Sequence, residues 1–147
     1  MRSRKSILPK LKMIYTTGYT GKDINDLKPM LEALDSILID IRFAPYSQIL
    51  HWRQMYLKDL LGKKYLHIPN LGNRTFKEGK ITIQNLKLGV ETVLNLEIDA
   101  VLMCACEKPE NCHRRLIIEE FRKRNIETIE LETWKTRDSA SQLRLFS

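Results

Sequence analysis

The stretch Ala100-Val101-Leu102-Met103-Cys104-Ala105-Cys106-Glu107-Lys108-Pro109-Glu110-Asn111-Cys112-His113-Arg114-Arg115-Leu116-Ile117-Ile118-Glu119-Glu120-Phe121 decides the fold. Its first four residues form an apolar run of strand length. Its last six carry the apolar spacing of a helix. The polar turn between them holds all three cysteines of the chain, one of its three histidines and two arginines. A strand, a turn and a helix in that order make one unit of a parallel α/β sheet, and such turns are where that architecture keeps its chemistry.

Outward from this unit, strands and helices alternate. Met13-Ile14-Tyr15-Thr16 is rich in β-formers and reads as a first strand, followed by a glycine-bearing loop from Thr17 to Lys22. Asp23 is a good N-cap for a helix with Ile24, Leu27, Leu31 and Leu34 on one face; Pro29 inside it predicts a kink or a late start. Ile37 to Ile41 is a second strand, apolar enough for burial on both faces. A loop from Phe43 to Trp52 leads to a helix from Arg53 to Leu61, with Gly62 suited to the position just past its end. Lys64 to Ile68 is a third strand and Pro69 to Lys80 a long polar loop. Ile83, Leu86, Val90, Val93 and Leu94 mark a helix, and Asp99 to Cys104 the fourth strand. Asn111 would cap a helix ending near Arg124, before a fifth strand from Ile126 to Leu131. The expectation is an α/β fold: a three-layer α/β/α domain on a mainly parallel five-stranded sheet, Rossmann-like or flavodoxin-like. It spans residues 13–132, between an N-terminal arm (1–12) and a C-terminal tail (133–147).

Composition narrows the class. A chain of 147 residues, 43% apolar, suits one globular domain with its own core. No apolar run approaches the roughly 18 residues that span a bilayer, so no membrane is expected. Three cysteines clustered in nine positions fit no disulfide framework and suggest a reducing, cytoplasmic setting. The net charge of +7 is confined to the ends. Residues 1–12 carry Arg2, Arg4, Lys5, Lys10 and Lys12 with no acid, whereas residues 13–132 hold 17 basic and 17 acidic side chains. Such ends are either solvated termini or phosphate contacts, and the second use makes nucleic acid their partner. Trp134, Leu143, Leu145 and Phe146 in the tail suggest an oligomer contact as a further use.

Ligands of parallel sheets bind beyond the strands' carboxyl ends, so four loops are expected to share one crevice. In the first, Gly18 permits close backbone approach beside Tyr19 and Thr20. In the second, Asp40 and Arg42 share one side of the strand end, either to hold a ligand or as a structural ion pair. The third contains Gly72. In the fourth, a helix starting at Asn111 would aim the N–H groups of Cys112, His113 and Arg114 at a small anionic ligand, with the Arg114 guanidinium as a second grip. Cys106 near that helix start would ionise and act as a nucleophile, with His113 and Asp40 as catalytic partners. The competing reading makes Cys104 and Cys106 small buried strand residues. His67 reads as structural. No metal is assigned, because the one cluster of Cys106, Cys112 and His113 lacks the two separated ligand pairs of a structural zinc site. Without a G-x-G-x-x-G or G-x-x-x-x-G-K-[ST] run, no cofactor is assigned. Nor does the spacing suit a cysteine phosphatase, which needs arginine where Cys112 stands.

The same loops resemble the domain-of-unknown-function-488 family of small α/β proteins. The family's Thr-x-Gly-His/Tyr-Ser/Thr is similar to Thr16-Thr17-Gly18-Tyr19-Thr20, and its Asp-x-Arg to Asp40-Ile41-Arg42, with Pro45 nearby. Its His-Leu-Pro-x-Leu-Gly-Gly resembles His67 to Asn73, with Asn73 in place of a glycine. Its Cys-x-Glu/Ala-x5-Cys-His-Arg resembles Cys104 to Arg114, with Cys106 at the Glu/Ala position. The resemblance implies a fold and a site, not a catalysed step. Two functions suit these residues: an enzyme using a Cys/His/Arg/Asp site on a phosphate- or nucleotide-like anion, or a non-catalytic nucleotide or nucleic-acid binding module.

Overall fold

Apolar runs with no polar face can lie only where both sides of a sheet are covered. In the computed structural model, which describes residues 12–135, β1 (Ile14–Gly18) and β4 (Ala100–Cys104) are buried at every position. With β2 (Ile37–Asp40), β3 (Tyr65–His67) and β5 (Thr128–Glu130) they form one sheet in the order β3-β2-β4-β1-β5, and every pairing is parallel.

That order fixes where the helices go. Parallel crossovers are right-handed, so the direction of travel selects the face. The chain first moves one way, from β1 past β4 to β2 and then to β3, and α1 (Leu27–Leu34) and α2 (Gln54–Leu61) pack on one face. It then reverses, from β3 past β2 to β4 and from β4 past β1 to β5. Accordingly α3 (Leu86–Asn95) and α4 (Arg114–Lys123) pack on the other face. The result is the expected three-layer α/β/α sandwich, with a strand order that differs from both the Rossmann and the flavodoxin orders. The loop after β4 therefore departs toward the opposite face from the loops after β1 and β2 on either side of it. Such a divergence opens a crevice at the carboxyl edge of a sheet.

Local signals explain most element ends. The Asp23 carboxylate accepts the Asn25 N–H at 2.9 Å and caps a 3-10 turn, Ile24–Asp26. The α-helix starts late, at Leu27, so Pro29 falls within the first turn, where its missing N–H costs nothing. Leu27, Met30, Leu31 and Leu34 face the sheet. Ile83 lies outside α3, because the Asn85 side chain caps that helix by accepting the Leu88 N–H at 3.3 Å, while Ile83 pairs with Asn73 as an isolated bridge.

The two ends are partly within the fold. Lys12 donates its ammonium to the carbonyls of Val93 (3.0 Å) and Leu94 at the end of α3, where a cation suits the helix dipole. The rest of the basic arm and Leu143, Leu145 and Phe146 lie outside the described residues. Trp134 is no exposed contact: it is 1% exposed, meets Trp52 edge-on at 5.7 Å, and donates its indole N–H to Thr17 Oγ1 at 2.9 Å. Among the described residues no helix is long and apolar enough to cross a membrane.

Replacing Trp134 with alanine removes a buried aromatic and leaves Thr17 without its donor. The expected loss is about 4 kcal/mol of unfolding free energy, measured by chemical denaturation.

Candidate active site

Backbone continuity builds the crevice first. Beyond β1 the ladder runs on, with Tyr19 N–H donating to the Cys104 carbonyl at 2.9 Å and Thr20 N–H to the Ala105 carbonyl at 3.1 Å. The Thr20 hydroxyl donates to the same Ala105 oxygen at 2.5 Å. Gly18 has to be glycine: a Cβ there would sit 1.5 Å from the Cys106 carbonyl oxygen. Gly72 is required for a similar reason, since a Cβ would lie 2.2 Å from Phe43 Cα. It seats the loop after β3 against the loop after β2 and does not line the cavity.

The Asp40–Arg42 pair is a structural ion pair that also presents its guanidinium. Asp40 is fully buried. Its carboxylate accepts Arg42 Nε at 2.8 Å and Arg42 Nη2 at 2.6 Å, the Arg42 backbone N–H at 3.2 Å, and the Tyr65 hydroxyl at 2.6 Å. Burial, and then the charge of Asp40, push the Tyr65 phenol up, so it remains a donor. Asp40 is thereby turned away from the cysteines and positions Arg42. His67 is structural as expected, its Nε2–H donating to the Arg42 carbonyl at 2.7 Å. Tyr19 stacks on Trp52 at 4.6 Å and lies under the Arg42 guanidinium at 5.3 Å, so its ring already has partners within the fold.

The helix start differs from the expected one. Pro109 opens a 3-10 turn, Pro109–Asn111, which the Cys112 N–H closes by donating to the Pro109 carbonyl at 3.0 Å. Cys112 is left extended and the N-cap of α4 is His113, not Asn111. The first helical N–H groups are therefore spoken for. That of Arg114 donates to the Cys112 sulfur, that of Arg115 to the Cys112 carbonyl, and that of Leu116 to the His113 carbonyl. They do not form an open anion cradle.

Arg114 is likewise committed. It is 0% exposed, and every guanidinium N–H has an acceptor: Glu130 from Nε (3.3 Å) and Nη2 (2.8 Å), the Glu107 carbonyl from Nη2 (3.2 Å), and the Cys106 carbonyl (2.8 Å) and Cys104 sulfur (2.9 Å) from Nη1. Thr16 donates to Glu130 at 2.6 Å and steadies that carboxylate. Arg114 thus clasps the cysteine loop and does not reach a ligand.

What the clasp holds is a group of three thiols. The sulfurs of Cys104, Cys106 and Cys112 all lie within 4.8 Å of one another. Cys104 and Cys112 are buried, with sulfurs 3.0 Å apart; Cys106 is half-buried. The neighbouring thiols of Cys104 and Cys112 favour a thiolate at Cys106. With the Arg114 guanidinium they outweigh its partial burial and pull its pKa down to about 3. As a thiol Cys106 would donate to the Asn111 carbonyl at 3.8 Å, a long contact that holds the proton weakly. Burial, and then its neighbours Cys106 and Cys112, push the Cys104 thiol up. The trio is one thiolate served by two thiols. Among the described residues it is also the one group of His, Cys, Asp or Glu atoms close enough to hold a metal ion, and it contains Cys104 in place of His113.

His113 serves Cys112 and not Cys106. Its Nε2–H donates to the Ile41 carbonyl at 2.9 Å, which leaves the Nδ1 lone pair toward the Cys112 sulfur at 3.5 Å. Burial lowers its pKa and keeps the ring neutral.

These groups line a cavity of about 660 Å³. Its floor holds the three sulfurs, Asn111 and His113. Its walls hold Phe43, Tyr46 and Phe76 with Arg42, Lys77 and Lys80, and among the described residues no acidic side chain lines it. Phe76, 52% exposed, offers a ring face to a ligand, whereas Tyr46 carries the Arg53 guanidinium over its ring at 4.7 Å and accepts Arg53 Nη2 at its hydroxyl at 3.1 Å. Sequence reasoning missed the wall from the polar loop; the one signal for it was Phe76 beside Lys77 and Lys80. Asn73 organises that wall. Its side chain donates to the Lys80 carbonyl at 2.8 Å and accepts the N–H groups of Thr75 (3.2 Å) and Thr82 (2.7 Å).

A doubly wound α/β sheet with a thiol-floored cavity at its carboxyl edge defines a class. Within it the chain belongs to the family described as domain of unknown function DUF488, whose model matches residues 30–121. No curated protein matches the chain, and no solved structure does.

Gly18→Ala is expected to cost about 3 kcal/mol, because the collision is with backbone that cannot step aside. Asp40→Asn leaves the Arg42 charge buried without its counter-ion and is expected to cost about 4 kcal/mol. Thermal unfolding of both variants against the parent checks the pair.

Proposed function

We propose that this chain is an enzyme whose Cys106 thiolate is the nucleophile in a cavity that takes a substrate with a phosphate- or nucleotide-like anionic group. The observation that carries the reading is the half-buried sulfur of Cys106, set with the Cys104 and Cys112 sulfurs within 4.8 Å of one another at the floor of the cavity. A thiolate is the reactive form of cysteine, and one ionised at neutral pH is ready to attack. The ring face of Phe76 suits a flat heterocycle, and Lys77, Lys80 and Arg42 suit the anion. His113 is a neutral base whose nearest proton is that of Cys112. Asp40 and Arg114 act through Arg42 and the cysteine loop and are positioning residues.

The sign of the pH dependence follows from the depressed pKa. An ordinary thiol near 8.5 alkylates about tenfold faster for each pH unit up to that value. Cys106, lowered to about 3, is ionised throughout the working range. Its iodoacetamide rate is expected to stay flat from about pH 5 to pH 8, read by mass spectrometry of the Cys106 peptide. A rate that climbs toward pH 8.5 removes the nucleophile. Adenosine monophosphate is expected to protect Cys106 from alkylation, and Lys77→Ala with Lys80→Ala to weaken that protection about tenfold. Protection that never appears removes the anion. The same ionisation adds stability that is complete above the unfolded thiol's pKa and is lost as pH falls through the folded value.

A further inference from the structure

A single nucleophile does not need two more thiols against it. Cys112 and Cys104 are buried, both line the cavity floor, and their sulfurs stand 3.0 Å apart, so a disulfide bond of about 2.05 Å needs a closing shift of only about 1 Å. Cys106 is the member of the trio with exposed surface, and its sulfur lies within 4.8 Å of the other two. His113 Nδ1 faces Cys112 at 3.5 Å and Arg114 Nη1 faces Cys104 at 2.9 Å, so a base attends one thiol and a cation the other. We propose that the three cysteines form a thiol relay that reduces a hydroperoxide by two electrons, with Cys106 meeting the oxidant and Cys112 and Cys104 ending as a disulfide. It rests on Cys106 being the nucleophile and names the electrophile as an O–O bond.

Each step balances. The Cys106 thiolate attacks the terminal oxygen of ROOH; an S–O bond forms, the O–O bond breaks, and RO⁻ leaves. Cys106 is then a sulfenic acid. Cys112 passes its proton by way of His113 to the departing hydroxide, and its sulfur bonds to Cys106 with loss of water. Cys104, a thiol until this step, loses its proton beside Arg114 as its sulfur attacks Cys112 and expels Cys106, the thiolate with the greatest tendency to leave. Its proton goes to RO⁻. The sum is two thiols and ROOH giving a disulfide, ROH and water. A dithiol reductant returns the pair to thiols.

The test uses the full, reduced chain with hydrogen peroxide. Free thiols are expected to fall from three to one, with the bond mapped by proteolysis to Cys104 and Cys112 within one chain. Cys106→Ser is expected to slow the loss by about tenfold or more. Cys112→Ser is expected to stop at a Cys106 sulfenic acid, trapped by dimedone. Three thiols that stay free, a Cys106→Ser variant that reacts at the parental rate, or disulfides that join separate chains would each overturn the relay. So would zinc bound at one ion per chain that leaves the sulfurs unreactive to peroxide. If alkylation still reports a thiolate while no disulfide forms, the relay falls and the nucleophile stands; if Cys106 titrates as an ordinary thiol, both fall.

Discussion

The guanidinium of Arg114 is the constraint on which the site depends. It sits on the first turn of α4 and donates to the last cysteine of β4, to two carbonyls of the loop between them and to a carboxylate on β5. A rigid planar fork with five donors can satisfy that many acceptors from one buried point; an ammonium cannot. A loop that would otherwise hold unpaired carbonyls beneath a cavity is thereby fixed, and its sulfurs are turned toward one another. The charge is balanced by Glu130, and Glu130 is held by Thr16, so β1, β4, β5 and α4 are tied through a single cation.

A second buried pair does the equivalent for the other wall. Asp40 collects four donors at the end of β2 and leaves the Arg42 guanidinium at the cavity. Here the buried carboxylate orients the residue that lines the cavity, whereas the Arg114–Glu130 pair orients the cysteine loop. Residue type and spacing do not tell these roles apart. Arg114 and Arg42 read alike in the sequence, yet one is consumed by the fold and the other faces the cavity.

How much was legible follows from the range of each interaction. β2 and β4 declare themselves because burial on both faces leaves their runs almost wholly apolar, and β1 through its β-formers, since its Thr16 and Thr17 are polar yet fully buried. The late start of α1 is readable from Asp23 and Pro29, which act within a few residues. The strand order is not, because no local pattern records that β4 enters between β1 and β2. The position of α4's first turn is hidden for a nearer reason. Asn111 is a good cap by type, but Pro109 begins a tighter turn first and hands the cap position to His113. The gathering of Cys104 with Cys106 and Cys112 depends on the chain turning back over the sheet edge, which spacing alone does not dictate. Trp134 reads as a loose tail residue because its partners, Thr17 and Trp52, are far away in sequence.

The loop from Asn73 to Thr82 is cross-linked by one amide side chain and carries the Phe76, Lys77 and Lys80 wall on a frame of its own. The sulfur floor is encoded some thirty residues later, on different elements. Ligand choice and reactivity are thus written in separable segments. Drift in the first can re-specify what the cavity accepts while the second is left untouched, and because the amide keeps the wall assembled before a ligand arrives, little ordering entropy is charged to binding.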